Sequence, residues 1–153
     1  MSSAAPHIMI VEARFYDDLA DEMAAGAIAA LEAAGATYER FAVPGSFEIP
    51  AAIRFAIAAG GPAEGGRNFD GYVALGCVIR GETTHYDYVC QESARALQDI
   101  AVNTQAAIGY GILTCENSDQ AWARAGRNRG NKGAAAVEAC LAMVALRRRF
   151  KLS

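Results

Sequence analysis

Short apolar runs alternate along this chain with longer segments in which apolar residues recur at helical spacing. The run from Ile8 to Val11 is uninterrupted, as in a strand buried on both faces of a sheet. Between Leu19 and Leu31 the apolar side chains form one stripe on a helix, which Gly35 is suited to end. The same reasoning predicts strands at 8–11, 38–43, 71–79 and 107–113, and helices at 17–34, 49–59, 86–102, 117–126 and 132–150.

The order of these segments predicts the fold class. Strand–helix alternation repeated four times is typical of an α/β protein in which helices cover both faces of a parallel sheet. The glycine-rich stretch at 61–68 is a predicted loop, and no segment is long enough to link two domains, so residues 1–153 are interpreted as a single domain. In such a sheet, ligands bind beyond the carboxyl ends of the strands, where the strand order reverses.

Composition and charge narrow the classes of function. The chain has 17 acidic and 14 basic residues and a net charge of −3, which argues against a nucleic-acid-binding face. No apolar run has the length of a membrane span and the first residues lack the features of a secretory signal, so we expect a cytoplasmic protein that does not enter the membrane. The four cysteines are widely separated and only two histidines accompany them, which favours reduced thiols over disulfides or a zinc site.

Aromatic and acidic residues follow the first two predicted strands. Phe15 comes after the first strand, and Phe47 comes after the second, beside Glu48 on a turn that leads into a helix. A single Phe at a strand exit is more often a core residue. Two of them at neighbouring exits could hold a planar heterocycle between their rings, while Glu48 accepts hydrogen bonds from its N–H or hydroxyl groups.

The densest polar segment, residues 80–87, follows the third predicted strand. Gly81 allows a tight turn, and successive backbone amides that lead into a helix bind anions. His85, on the first turn of that helix, is suited to exchange protons near neutral pH. A surface histidine with capping threonines explains the segment equally well at this stage.

Two other polar regions give weaker signals. Basic residues among glycines at 124–133 could hold a phosphate, but an ordinary solvated connection between helices is the favoured interpretation. His7 falls in a predicted frayed terminus and is assigned no role.

Four segments, taken together and in order, carry a resemblance. They are Ala13-Arg14-Phe15, Val43-Pro44-Gly45-Ser46-Phe47-Glu48-Ile49-Pro50, the stretch from Gly76 to Asp87, and Arg124-Ala125-Gly126 with Gly130-Asn131-Lys132-Gly133. They are similar to the lumazine synthase family. The resemblance implies a flavodoxin-like three-layer α/β/α sandwich with a four-stranded parallel sheet, and a condensation that uses no metal and no organic cofactor. The implied substrates are 5-amino-6-(D-ribitylamino)uracil and 3,4-dihydroxy-2-butanone 4-phosphate, which give 6,7-dimethyl-8-ribityllumazine in the penultimate step of riboflavin biosynthesis.

The resemblance also implies roles for individual residues. His85 would be the catalytic proton carrier. The implied substrate-binding residues are Phe15, Ser46, Phe47, Glu48, Cys77, Val78, Ile79 and Tyr110, and the implied phosphate-binding residues are Glu82, Thr83 and Arg124. Glu82 stands where the family often has a small residue, so its side chain is expected to point outward. Tyr110 stands where Phe is usual.

The resemblance further implies a homo-oligomer, either a pentamer or a sixty-subunit icosahedral shell, with active sites at subunit interfaces. Riboflavin synthase is an implied partner. Two alternatives on the same scaffold are a flavin-binding or storage protein with weak turnover and a shell-forming protein with a vestigial site. A third is a riboflavin synthase of archaeal type, which would need no phosphate-binding site.

Overall fold

The computed structural model describes residues 4–60 and 68–152, so the predicted loop at 61–68 lies, apart from Asn68, outside the described residues. The strands are β1 (His7–Ala13), β2 (Thr37–Val43), β3 (Gly71–Ile79) and β4 (Ile108–Cys115). The helices are α1 (Asp17–Ala33), α2 (Ile49–Ala59), α3 (His85–Thr104), α4 (Ser118–Ala125) and α5 (Lys132–Arg149). Every predicted element is therefore confirmed, with ends within about two residues of those predicted.

The four strands form one parallel sheet in the order β2-β1-β3-β4. After β1 the chain adds β2 on one side and then β3 on the other, so the strand order reverses between β1 and β3. The carboxyl ends of β1, β2 and β3 are therefore neighbours, and β4 lies at the edge of the sheet. This geometry creates a crevice beside the three adjacent strand ends.

Helices cover both faces of the sheet. One core cluster joins Ile10 and Val73 of the sheet to side chains of α1, α4 and α5, and a second joins Val11 and Ala74 to Ile53 of α2 and Leu97 of α3. Alternate strand residues belong to the two clusters because successive side chains of a strand point to opposite faces. The α/β/α arrangement expected from the resemblance is confirmed. Among the described residues, no helix combines the length and apolar character that crossing a bilayer requires.

Two glycines allow α5 to approach its neighbours closely. A Cβ at Gly109 would collide with the carbonyl oxygen of Ala136, and a Cβ at Gly133 would collide with the carbonyl oxygen of Met23. The backbone of α5 therefore packs directly on β4 and α1, with no side chain between them.

The amino end of the sheet differs from the expectation for His7. The prediction of a frayed terminus is wrong there, because His7 begins β1 and is buried. Its Nδ1 lies 2.7 Å from Thr37 Oγ1 and its Nε2 lies 2.7 Å from Glu39 Oε2, while its backbone N–H donates to Asp70 Oδ2 at 2.8 Å. Periodicity alone missed it, since a polar residue before an apolar run resembles a loop.

Candidate active site

A cavity of about 630 Å³ opens at the carboxyl ends of β1, β2 and β3. It brings together most of the candidate residues named from the sequence: Phe15, Ser46, Phe47, Glu48, Cys77, Val78, Ile79, Thr83 and His85. Tyr16 and Tyr86 also line it, although neither was singled out from the sequence. The only signal for these two tyrosines was their position next to Phe15 and His85.

The aromatic rings at the first two strand exits are not core residues. Phe15 is 73% exposed and Phe47 is 58% exposed. Phe15 has one close ring neighbour, Tyr16, in an edge-on contact with centroids 4.9 Å apart. Exposed rings that line a concave cavity offer flat apolar faces to a planar ligand.

The predicted turn at the exit of β2 is present, and its form is a finding of the structure. Ser46–Glu48 form a single turn of 3₁₀ helix before α2. Ser46 is buried against Gly76, where a Cβ would collide with the Ser46 hydroxyl, and Ile49 is buried in the core. These two anchors leave Phe47 and Glu48 exposed at the mouth of the cavity. The Glu48 carboxylate is thus available to accept hydrogen bonds from a ligand.

The exit of β3 leads into the amino terminus of α3, where Thr84 is the N-cap and makes no side-chain capping bond. The His85 N–H donates to Thr83 Oγ1 at 3.3 Å, and Thr83 and His85 both line the cavity. An uncapped helix terminus favours an anion through its dipole and its amides. Gly81 lacks the positive φ that would require glycine, so the expected tight turn there does not depend on it.

Arg80 ties the end of β3 to two neighbouring segments. Its Nε donates to Glu116 Oε2 at 2.6 Å, just beyond β4, and its Nη2 lies 3.4 Å from Asp87 Oδ1 on the first turn of α3. The guanidinium also lies over the Tyr86 ring. A basic residue at a strand exit was visible in the sequence, but its partner 36 residues away was not.

The wall of the cavity formed by β3 is neutral. Burial, and then the neighbouring Cys115, raise the pKa of the Cys77 thiol to about 12. Cys77 therefore remains protonated at physiological pH and contributes an apolar surface rather than a nucleophile.

Three candidates do not line this cavity. Tyr110 lies in the middle of β4, paired with Ala74, and is 46% exposed. Arg124 lies on α4, exposed, with its Nη1 donating to the Gln120 carbonyl at 3.0 Å. Glu82 is exposed in the loop before α3. The first two therefore lie on the side of the molecule that carries the edge strand β4.

Comparison with known proteins gives a consistent result. Residues 5–148 match the family described as 6,7-dimethyl-8-ribityllumazine synthase. The chain is 61% identical over 144 residues to 6,7-dimethyl-8-ribityllumazine synthase 1 of Rhizobium meliloti, which covers 94% of this chain and 93% of that protein. It is 56% identical over 145 residues to the 6,7-dimethyl-8-ribityllumazine synthase of Agrobacterium fabrum, with 95% and 97% covered. The protein of that name from Bartonella bacilliformis is 54% identical over 147 residues, with 95% and 92% covered.

Proposed function

We propose roles for the residues of the cavity from the premise that this chain belongs to the 6,7-dimethyl-8-ribityllumazine synthase family. The protein is a transferase of riboflavin biosynthesis. It condenses 5-amino-6-(D-ribitylamino)uracil with 3,4-dihydroxy-2-butanone 4-phosphate to give 6,7-dimethyl-8-ribityllumazine, phosphate and two molecules of water.

One observation supports the assignment of roles: the two exposed rings and the uncapped terminus of α3 face a single cavity. The pyrimidine ring stacks on Phe15 and lies against Phe47, while Glu48 and Ser46 bind its N–H groups and ribityl hydroxyls. The phosphate of the second substrate binds at the amino terminus of α3, where the amides of Glu82 and Thr83 and the Thr83 hydroxyl donate to it. Cys77, Val78 and Ile79 form the apolar wall between the two.

The reaction then needs alignment and proton transfer. The substrate amine adds to the ketone to form a carbinolamine, which loses water to give an imine. Phosphate is eliminated, the resulting enol tautomerises to a ketone, and the ribitylamino nitrogen attacks that ketone and closes the ring with loss of a second water. Holding both reactants in one cavity supplies the largest contribution to the rate. His85, which lines the cavity, exchanges protons during these steps, and such transfer typically contributes about 10²–10⁴-fold.

Tyr110 and Arg124 complete the site of a neighbouring subunit. Both are accessible on the side of β4, and neither lines the cavity of its own chain. An Arg124 guanidinium from the neighbour would bind the phosphate dianion, and the Tyr110 ring would cover the heterocycle. Each active site is thus shared between two chains of a homo-oligomer.

The assembly is a pentamer or a sixty-subunit shell, of which the shell is favoured because the connection from α4 to α5 is short. These states have masses of about 80 kDa and about 970 kDa. Light scattering separates them, and a monomer would contradict both. We place the enzyme in the cytoplasm, since its four cysteines are free thiols, as is usual there. Riboflavin synthase, which consumes the product, is the partner that we propose.

The direct experiment mixes the two substrates with the purified protein. Lumazine absorbance and phosphate release should rise together, with one phosphate formed per lumazine. Tight binding of flavin or lumazine without turnover would favour the flavin-binding alternative instead.

A further inference from the structure

A buried carboxylate lies beneath the β1 exit and takes no part in the steps described above. Glu12 is 3% exposed. Its Oε1 accepts hydrogen bonds from Arg14 Nη1 at 3.0 Å and Arg40 Nη2 at 2.9 Å, and its Oε2 accepts one from Arg40 Nε at 2.6 Å. Both oxygens are therefore engaged by guanidinium groups, as a buried charge requires.

The position of Glu12 connects it to the active site. It pairs with Leu75 of β3 and Ala42 of β2 in the sheet. It also lines a small cavity together with Tyr16 and Cys77, two residues that line the active-site cavity as well. Glu12 thus lies directly behind the wall that faces the substrate.

Arg14 carries this anchoring forward to the turn that bears Phe15. Its guanidinium also bonds to Asp21 and lies 3.4 Å from Asp17 on α1, and its backbone N–H donates to the Val43 carbonyl at 3.3 Å. The Phe15 side chain is mostly exposed and contacts the Tyr16 ring. The residues on either side of Phe15 therefore chiefly determine where its ring lies. Of these two neighbours, Arg14 is the one fixed by ion pairs.

We infer that Glu12 is a positioning residue for the pyrimidine substrate: by binding Arg14, it fixes the turn from Arg14 to Tyr16 and so the orientation of Phe15. This inference rests on the proposed stacking of the pyrimidine on Phe15. Stability alone does not explain the arrangement, because a buried ion pair generally gives no gain over a well-packed apolar side chain. At this position the ion pair instead fixes the orientation of the Arg14 side chain, because guanidinium–carboxylate hydrogen bonds have a defined geometry.

The chain offers a matched control for the test. Arg14 and Arg40 bind the same carboxylate, but only Arg14 adjoins Phe15, whereas Arg40 extends from β2. Glu12→Gln and Arg14→Gln should each raise KM for the pyrimidine by about five- to tenfold, because the aromatic face is misplaced. KM for the butanone phosphate and kcat should stay within about twofold of wild type, since the phosphate-binding loop is a separate segment. Arg40→Gln should lower Tm and leave both KM values unchanged.

The double variant separates positioning from a general weakening of the scaffold. Both changes remove the contact between Glu12 and Arg14, and Arg14→Gln also removes the bond to Asp21. The combined Glu12→Gln and Arg14→Gln change should therefore raise KM no further than Arg14→Gln alone. The inference would be overturned if KM for the pyrimidine stayed at the wild-type value, or if Arg40→Gln raised it equally. Should Glu12→Gln fail to fold, the half-buried Arg14 still gives the decisive comparison with Arg40. Failure of the proposed function is distinguishable, because wild-type protein itself would then form no lumazine.

Discussion

The guanidinium carbon of Arg80 lies 4.3 Å from the centroid of the Tyr86 ring. Because Arg80 also binds Glu116 beyond β4, the first turn of α3 is tied to the ends of two neighbouring strands. His85 directly precedes Tyr86 on that turn. The proton carrier that we propose is therefore held in place by the sheet.

Replacing His85 with Ala should lower kcat by about 10–10³-fold, because a positioned acid–base group is lost while the cavity remains. Total loss is not expected, since the substrates carry acidic and basic groups of their own. Steady-state kinetics between pH 6 and 8 would measure the change. The control is His7→Gln. His7 begins β1, at the end of this strand that lies away from the cavity, so the change should leave kcat at the wild-type value. Wild-type activity of His85→Ala across this range would remove His85 from the mechanism.

The elements of the fold were predictable because each has its own local signal. The apolar run from Ile8 to Val11 and the stripe on α1 are sufficient to locate a strand and a helix. The turn that carries Phe47 and Glu48 was predicted, but its 3₁₀ form was not, since three residues show no periodicity. His7 was missed because its burial depends on Thr37, Glu39 and Asp70, which periodicity does not bring together.

One rule predicted part of the candidate site: functional side chains follow the carboxyl ends of parallel strands. That rule identified Phe15, Phe47 and His85, which line one cavity. It could not identify the bonds from Arg40 to Glu12 and from Arg80 to Glu116, because these partners are 28 and 36 residues apart and meet only across the sheet. The contributions of Tyr110 and Arg124 were inferred from the resemblance, and in the shared site that we propose they come from a second chain.

The close packing of α5 on β4 predicts that alanine substitutions at two glycines change the free energy of unfolding by very different amounts. Gly109→Ala should lower the free energy of unfolding by about 3 kcal/mol, because the new Cβ collides with the backbone carbonyl of Ala136, which cannot rotate away. Gly81→Ala should change it by less than about 0.5 kcal/mol, since its Cβ would meet nothing within 4 Å and its φ is not positive. Urea denaturation of both variants measures the difference. Equal midpoints would mean that α5 does not lie directly on β4.

Burial of thiols predicts a dependence of stability on alkaline pH. Burial raises the pKa of Cys140 to about 12. The unfolded chain therefore loses this proton at lower pH than the folded chain, near the ordinary thiol value of about 8.5–9. The contribution of the protonated Cys140 thiol to the free energy of unfolding is therefore complete below pH 8. It declines as the pH rises from 8 towards about 12.

Chemical denaturation at several pH values from 8 to 10.5 would measure this decline. Cys140→Ala, which lacks the thiol, should be less stable at pH 8 but should lose stability less steeply with pH. Iodoacetamide at pH 8 should modify Cys140 only after unfolding, because the thiol is buried and donates to the Ala107 carbonyl. Parallel slopes for wild type and variant would contradict the assignment.

A shared active site predicts complementation between two variants of low activity. His85 lines the cavity of its own chain, whereas Arg124 lies outside it, beyond the edge strand β4. His85→Ala and Arg124→Ala subunits should each be poor catalysts when assembled alone. The two variants are unfolded, mixed in equal amounts and refolded together. If rings assemble at random, roughly a quarter of the interfaces should contain both a native His85 and a native Arg124. The mixture should recover about that fraction of wild-type activity in the lumazine assay.

A second mixture supplies the control, combining His85→Ala with Phe15→Ala, two residues that line the cavity of one chain. Every site in that mixture carries one lesion or the other, so no recovery is expected. Were all the functional groups contained in one chain, both mixtures would show only the average of their components, and the interface proposal would fail.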